Sequence, residues 1–241
     1  MLVTPAAHAE GTGDVRVTRT VVDHGTNVIV GTSKTINYPV QITIKDNSGV
    51  KGLSRVSTFN RYNGYGFADW TGTSCVKRSA TTSVCTATMT IKPEWIASSD
   101  DIDSNKVAGV WQVNATVKAK DGNYWISDNI AQYKVKRASV LVTNAAPEPV
   151  KRGGKLTVTG RLTRANWEDR KYHGYSSQAV TLQFKKAGTS SYKSVKSVKT
   201  NGSGNLRTTV TASAAGTWRW SFPGTTSTAA VTSTGDNVKL G

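Results

Sequence analysis

The chain has 241 residues, with 31 lysines and arginines against 15 aspartates and glutamates, and its formal net charge is +16. Threonine occurs 33 times and valine 27 times, but leucine only 8 times. Because β-branched side chains fit a pleated sheet better than a helix, this composition predicts an all-β protein and excludes a coiled coil, a helical bundle and a disordered polyelectrolyte. The sequence holds no run of 18 apolar residues, so it predicts no membrane-spanning helix.

Residues 1–9 have the character of a processed leader. Ala7 and Ala9 flank His8 in the A-x-A pattern that precedes signal-peptide cleavage. We interpret residues 1–9 as the tail of a secretory signal, and an ordinary frayed N-terminus is the alternative. The protein is therefore expected to be secreted, either extracellular or associated with the cell wall.

The two cysteines, Cys75 and Cys85, support export. They form neither a CxxC motif nor a Cys/His cluster, and such a pair favours a disulfide in an oxidising compartment. Two buried free thiols are the alternative.

Alternating apolar and polar residues predict the first group of strands. The alternation runs through residues 39–45, 85–92 and 111–120, with turn residues at 46–49 and 121–123. Half-buried antiparallel strands have this pattern. We expect a β-sandwich over residues 10–137, with Trp111 in its core.

The pattern restarts after residue 137. Val140 and Val142 begin a strand, and later strands include residues 180–184, 206–210 and 218–222, the last with Trp218 and Trp220 expected in the core. Strands at this spacing suggest a second sandwich over residues 138–241.

Several strand-and-turn segments resemble a known group of proteins. Residues 28–50 and 108–122 are similar to the opening of immunoglobulin-like (Ig-like) domains in secreted actinobacterial proteins of the Streptomyces type, and residues 144–160 and 216–220 resemble their C-terminal Ig-like domain. The resemblance implies two tandem Ig-like antiparallel β-sandwiches and export. Members are often labelled calcium-binding, and the resemblance brings no assigned activity.

The sequence lacks the catalytic motifs of several common enzyme classes. Its histidines are His8, His24 and His173, and it holds no G-x-S-x-G, H-E-x-x-H or P-loop motif. We therefore expect a non-catalytic protein without a cofactor.

Calcium is a weak exception to the expectation of no cofactor. Oxygen-bearing side chains cluster at Asp100, Asp101, Asp103 and Asn105, and such ligands suit calcium. The segment lacks the glycine and the terminal glutamate of an EF-hand, and a solvated loop is the alternative.

Two loops mix aromatic residues with glycine and polar residues, as binding loops do. The first ends at the predicted disulfide and offers Arg61, Tyr62, Tyr65 and Trp70 as candidate ligand contacts. The second offers Trp167, Tyr172 and Tyr175. The alternative is that these rings cover the ends of the sandwiches.

Positive charge is concentrated in the second half of the chain. Residues 10–137 carry 16 basic and 11 acidic side chains, whereas residues 138–241 carry 15 and 4, a balance of +11. Such a field attracts anionic polymers. The candidate contacts are Lys185, Lys186, Lys193, Lys196 and Lys199. Lysines on an edge strand also prevent sheet-to-sheet aggregation, which is the alternative.

These observations predict a secreted, non-catalytic binding protein. The basic domain would contact an anionic polymer of the cell envelope or the extracellular space, and the aromatic loops would contact a glycan or a protein. One alternative is a protein–protein interaction module, either an inhibitor or a subunit of a secreted complex. A second alternative is a structural accessory protein, and the oligomeric state is left open.

Overall fold

The computed structural model describes residues 9–61, 66–67, 70–97 and 104–241. Within these ranges the secondary structure is almost entirely β, with one short α-helix, α1 (Pro93–Ala97), and the helical turns Asp23–Gly25 and Ser104–Val107. The chain divides into two compact units, Met1–Lys136 and Arg137–Gly241. The division falls one residue before the boundary expected from the sequence.

Antiparallel sheets build the first unit. Its strands are β1 (Ala9–Gly11), β2 (Arg16–Val22), β3 (Val28–Val30), β4 (Ile36–Lys45), β5 (Val50–Asn60), β6 (Gly66–Phe67), β7 (Trp70–Lys77), β8 (Thr82–Ile91), β9 (Gly109–Ala119) and β10 (Tyr124–Arg137). One sheet has the order β2-β4-β8-β7, and the other has the order β1-β10-β9-β5-β6 with β3 also beside β10. This is the Ig-like arrangement, in which strands A, B, E and D face strands C, F and G.

The core of the first unit follows the predicted alternation. Val40, Ile42 and Ile44 on β4 are fully buried, as are the inward residues of β9 from Trp111 to Ala119. The predicted turn after β4 is also present, because the Asp46 carboxylate accepts a hydrogen bond from the Ser48 backbone N–H at 2.8 Å.

The second unit has the same design. Its strands are β11 (Ser139–Ala146), β12 (Lys155–Asn166), β13 (Lys171–Gly174), β14 (Ala179–Lys186), β15 (Lys193–Lys199), β16 (Asn205–Thr211), β17 (Gly216–Phe222), β18 (Val231–Thr232) and β19 (Asp236–Val238). One sheet has the order β11-β12-β13 with β16 also beside β12, and the other has the order β15-β14-β17-β18 with β19 beside β17. The prediction of two Ig-like antiparallel sandwiches is confirmed.

Inward residues of both sheets form the core of the second unit, and they include Leu156, Leu182, Trp218 and Trp220. The predicted core positions of Trp111, Trp218 and Trp220 are confirmed, since their exposed fractions are 0, 4 and 0%. On β11 the inward positions belong to Leu141 and Ala145, whereas Val140 and Val142 are exposed on the outer face.

Candidate anion-binding surface

The predicted disulfide between Cys75 and Cys85 is present, with an S–S distance of 2.02 Å. The two residues are direct partners in the pairing of β7 with β8. The bond therefore joins neighbouring strands side by side and holds β7, the strand that begins at Trp70.

The first aromatic loop is described only at its two ends. Arg61 is exposed, and its backbone N–H donates to the carbonyl of Val110 at 3.3 Å. Trp70 is half-buried and lies opposite Met89 in the register of β7 and β8. Tyr62 and Tyr65 lie outside the described residues. Their contact with a ligand stays a prediction.

The second aromatic loop requires one correction. Trp167 has an exposed fraction of 0%, so its ring is not available to stack on a ligand. Tyr175 is half-buried, with its ring edge-on to Phe222 at 5.9 Å and the Arg164 guanidinium 3.9 Å from the ring centre. Of the three candidate aromatics, Tyr172 is the most accessible, at 39% exposed. This loop mainly covers the sandwich, as the alternative interpretation proposed.

An exposed pair of ionisable side chains lies in the same loop. The Asp169 carboxylate and the Nε2 atom of His173 are 2.6 Å apart. Desolvation acts to raise the pKa of Asp169, but the hydrogen bond from His173 and the backbone N–H of Lys171 outweigh it and lower that pKa. The pair therefore stabilises the ionised carboxylate at the start of β13.

The predicted calcium segment falls mostly outside the described residues. Asp100, Asp101 and Asp103 lie there, and Asn105 belongs to the helical turn Ser104–Val107. Among the residues that are described, no group of three or more histidine, cysteine, aspartate or glutamate side chains could hold a metal ion.

The five candidate lysines lie on the paired strands β14 and β15, but on two faces. Lys199 pairs with Ala179, whereas Lys193 and Lys196 pair with Phe184 and the fully buried Leu182. Directly paired residues point to the same side of a sheet. Lys193 and Lys196 therefore belong to the inward side and remain exposed because β15 is an edge strand.

Lys185 belongs to the outer face of this sheet, where it meets residues that the sequence interpretation did not group with it. The ring of Tyr192 lies beneath two cations, with the Arg219 guanidinium carbon 3.5 Å and the Lys185 ammonium 5.2 Å from its centre. Arg219 also donates from Nε to the side-chain oxygen of Gln183 at 2.8 Å. Cation–π contacts of this geometry hold the cations in place. We call the outer surface formed by Gln183, Lys185, Tyr192, Lys199 and Arg219 the Tyr192 face.

The Tyr192 face is free of acidic residues on its own strands. Residues 138–241 contain Glu148, Glu168, Asp169 and Asp236, none of them on β14, β15 or β17. Asp236 on β19 accepts a hydrogen bond from the backbone N–H of Ala145 at 2.7 Å, so it is engaged with the other sheet. The positive field above the Tyr192 face is therefore not neutralised by carboxylates on the strands that form it.

Comparison with known proteins yields weak structural likeness. No family model and no curated protein matches the chain. It is similar to the solved D00-D0 domain of Intimin, with 17% identity over 91% of this chain and 99% of that chain, and a TM-score of 0.31. It is also similar to a chimeric titin Z1Z2, with 14% identity over 94% and 96% and a TM-score of 0.26. A third similar structure holds three N-terminal domains of the bacteriophage RB49 outer capsid protein Hoc, with 12% identity over 97% and 71% and a TM-score of 0.26. Similarity at TM-scores this low carries no argument, so the assignment of the Ig-like fold rests on the strand pairing of this chain alone.

In the described ranges no helix is long and apolar enough to cross a membrane.

Proposed function

We propose that this protein is a secreted, non-catalytic binding protein whose second unit adsorbs to anionic polymers through the Tyr192 face. The observation that carries the proposal is a pair of cations, Lys185 and Arg219, over the ring of Tyr192. Lys199 lies farther along the same outer face, and the strands of this face hold no carboxylate. Anionic polymers of the cell envelope or the extracellular space are the corresponding ligand class.

The arrangement suits a polymer better than a single small anion. The cations lie on three neighbouring strands, so successive negative groups of an extended chain can each meet one of them. Arg219 and Lys185 both contact the ring of Tyr192, which restrains them and reduces the entropy lost on binding. The surrounding charge of the second unit accelerates association with any polyanion.

The first unit is proposed to supply a second contact, to a glycan or a protein, through its aromatic loop. Arg61 is exposed at one end of this loop, and the disulfide holds the strand that starts with Trp70 at the other end. A contact anchored on a stapled strand loses less conformational freedom when a partner binds.

Binding of the full chain to inorganic polyphosphate in a salt series tests the charged part of the proposal. Three phosphate contacts predict a slope of log affinity against log salt of roughly −2, so affinity should fall about 20-fold between 50 and 200 mM salt. The double variant Lys185→Ala/Arg219→Ala should reduce the slope to roughly −0.7.

The matched control is Lys151→Ala/Lys239→Ala, which removes the same charge from exposed positions outside the Tyr192 face. It should keep the full slope. Salt-insensitive binding by the unmodified chain, or equal slopes for both double variants, would contradict the proposal. Cosedimentation with isolated cell walls that retain or lack teichoic acid extends the test to a biological polymer.

A further inference from the structure

A groove crosses the outer face of the other sheet of the second unit. It has a volume of about 620 Å³ and lies over β11, β12 and β16. Its lining includes Val142, Asn144, Arg161, Asn201, Asn205 and Arg207. This volume is within the usual range of roughly 300–1,000 Å³ for small-molecule and cofactor sites.

The strand register places the two arginines close together. Arg161 on β12 is opposite Asn205 on β16, and Arg207 is opposite Thr159. The two arginines are therefore diagonal neighbours on one face, with their Cβ atoms about 7 Å apart. Val142 on β11 pairs directly with Arg161 and adds an apolar side chain that is 54% exposed.

The groove combines positive charge with amides. No aspartate or glutamate is among its lining residues, whereas two arginines and three asparagines are. The side-chain oxygen of Asn201 already accepts from two backbone N–H groups of its turn, which leaves its amide N–H groups as donors. A guanidinium pairs with a carboxylate through two parallel hydrogen bonds, and an amide both donates to and accepts from hydroxyl groups. A sugar that carries a carboxylate presents both kinds of partner: the carboxylate for the guanidinium groups and the hydroxyls for the amides.

We propose that this groove binds a carboxylated glycan, a chain of uronic-acid-type sugars. Arg161 and Arg207 pair with carboxylates on the chain, the asparagine amides bind ring hydroxyls, and Val142 packs against the C–H face of a sugar ring. The site lies on the sheet opposite to the Tyr192 face, so it does not depend on that surface.

A glycan fits this position better than an acidic peptide does. A peptide that adds a strand needs an unpaired sheet edge, but the groove lies on a sheet face, and its central strand β12 is paired with β11 on one side and β16 on the other. Recognition at the groove therefore rests on side chains, and three of these are amides.

Calorimetric titration of the full chain with oligogalacturonate, at one fixed salt concentration, tests the proposal. The methyl ester of the same oligosaccharide has the same shape without the charge, so it should bind at least tenfold more weakly. Arg161→Ala/Arg207→Ala should lower the affinity for the acid at least tenfold, to the level of the ester, since hydrogen bonds to charged groups are lost.

Two further variants separate geometry from charge. Arg161→Lys/Arg207→Lys keeps the charge but loses the forked geometry, so it should retain polyphosphate binding and lose most of the preference for the acid over the ester. Lys151→Ala/Lys239→Ala removes two charges outside both surfaces. It should keep the preference for the acid over the ester, whatever the outcome for the Tyr192 face.

Three outcomes would overturn the proposal. They are equal affinity for acid and ester in the unmodified chain, full affinity for the acid in the folded arginine-to-alanine variant, and tighter binding of polyglutamate than of oligogalacturonate. The first and third need no variant, so they decide the matter even if the arginine variants do not fold. Thermal unfolding curves confirm the folded state of each variant.

Discussion

Gly160→Ala tests whether the packing between the two sheets of the second unit is as tight as the structure indicates. Gly160 lies on β12, directly under the indole of Trp220. A Cβ atom placed on Gly160 would lie 2.7 Å from Cδ1 and 2.8 Å from Nε1 of Trp220, and 2.6 Å from the backbone oxygen of Val142. The indole cannot move away freely, because it is fully buried and its N–H donates to the carbonyl of Thr159 at 3.0 Å.

The expected effect combines two opposing contributions. Overpacking of a core costs about 1–3 kcal/mol. Alanine regains about 0.5–1 kcal/mol over glycine in a strand because it has fewer unfolded conformations. The net loss is about 1–2 kcal/mol, and for a unit of this size it should lower the melting temperature by roughly 5–10 °C.

Differential scanning calorimetry measures this shift, and the chain offers a matched control. Gly202 lies in the turn before β16 at a negative φ, with no atom within 4 Å of the position of an added Cβ. Gly202→Ala should therefore leave the melting temperature of the second unit nearly unchanged. If Gly160→Ala melts at the same temperature as Gly202→Ala, then Trp220 does not pack against β12 as described.

Three other changes test separate interactions. Tyr38→Phe removes a buried hydroxyl that lies 2.8 Å from another tyrosine hydroxyl, so urea unfolding should show a loss of about 1–2 kcal/mol; an unchanged midpoint would contradict this. Cys75→Ala/Cys85→Ala opens a loop with a sequence separation of 10 and should lower the unfolding free energy by about 3 kcal/mol, whereas equal stability would argue against the bond. Because the pKa of Asp169 is lowered by His173, the pair stabilises the fold above pH 3.8 and loses this effect as the pH falls through the folded-state pKa. Asp169→Asn should therefore flatten the acid limb of the stability curve, and an unaltered limb would refute the interaction.

The sandwiches could be predicted from the sequence because alternation is a local signal. Each of β4, β8 and β9 has one buried face, so apolar residues at every second position of the sequence indicate which side chains are buried. The disulfide was predictable for a similar reason, since the chain offers only two cysteines.

The candidate surfaces depend on pairing between distant residues, which no local pattern contains. The register of β15 against β14 shifts between Ser194 and Lys196, and this shift puts Lys193 and Lys199 on opposite sides of the sheet. Likewise, Tyr192 meets Arg219 only because β15 and β17 both pair with β14. One usable signal was missed, because Arg219 alternates with two core tryptophans and therefore has to point outward.

The bond between Cys75 and Cys85 also sets how the first unit would respond to force. A pull on the two ends of the chain would be transmitted across the sulfur atoms, so residues 76–84 would carry no tension. Extension of the unfolded first unit would then fall short of its full contour length by roughly 30 Å, and addition of a reductant would release that length. In a single-molecule recording the oxidised and reduced forms would differ by one fixed step.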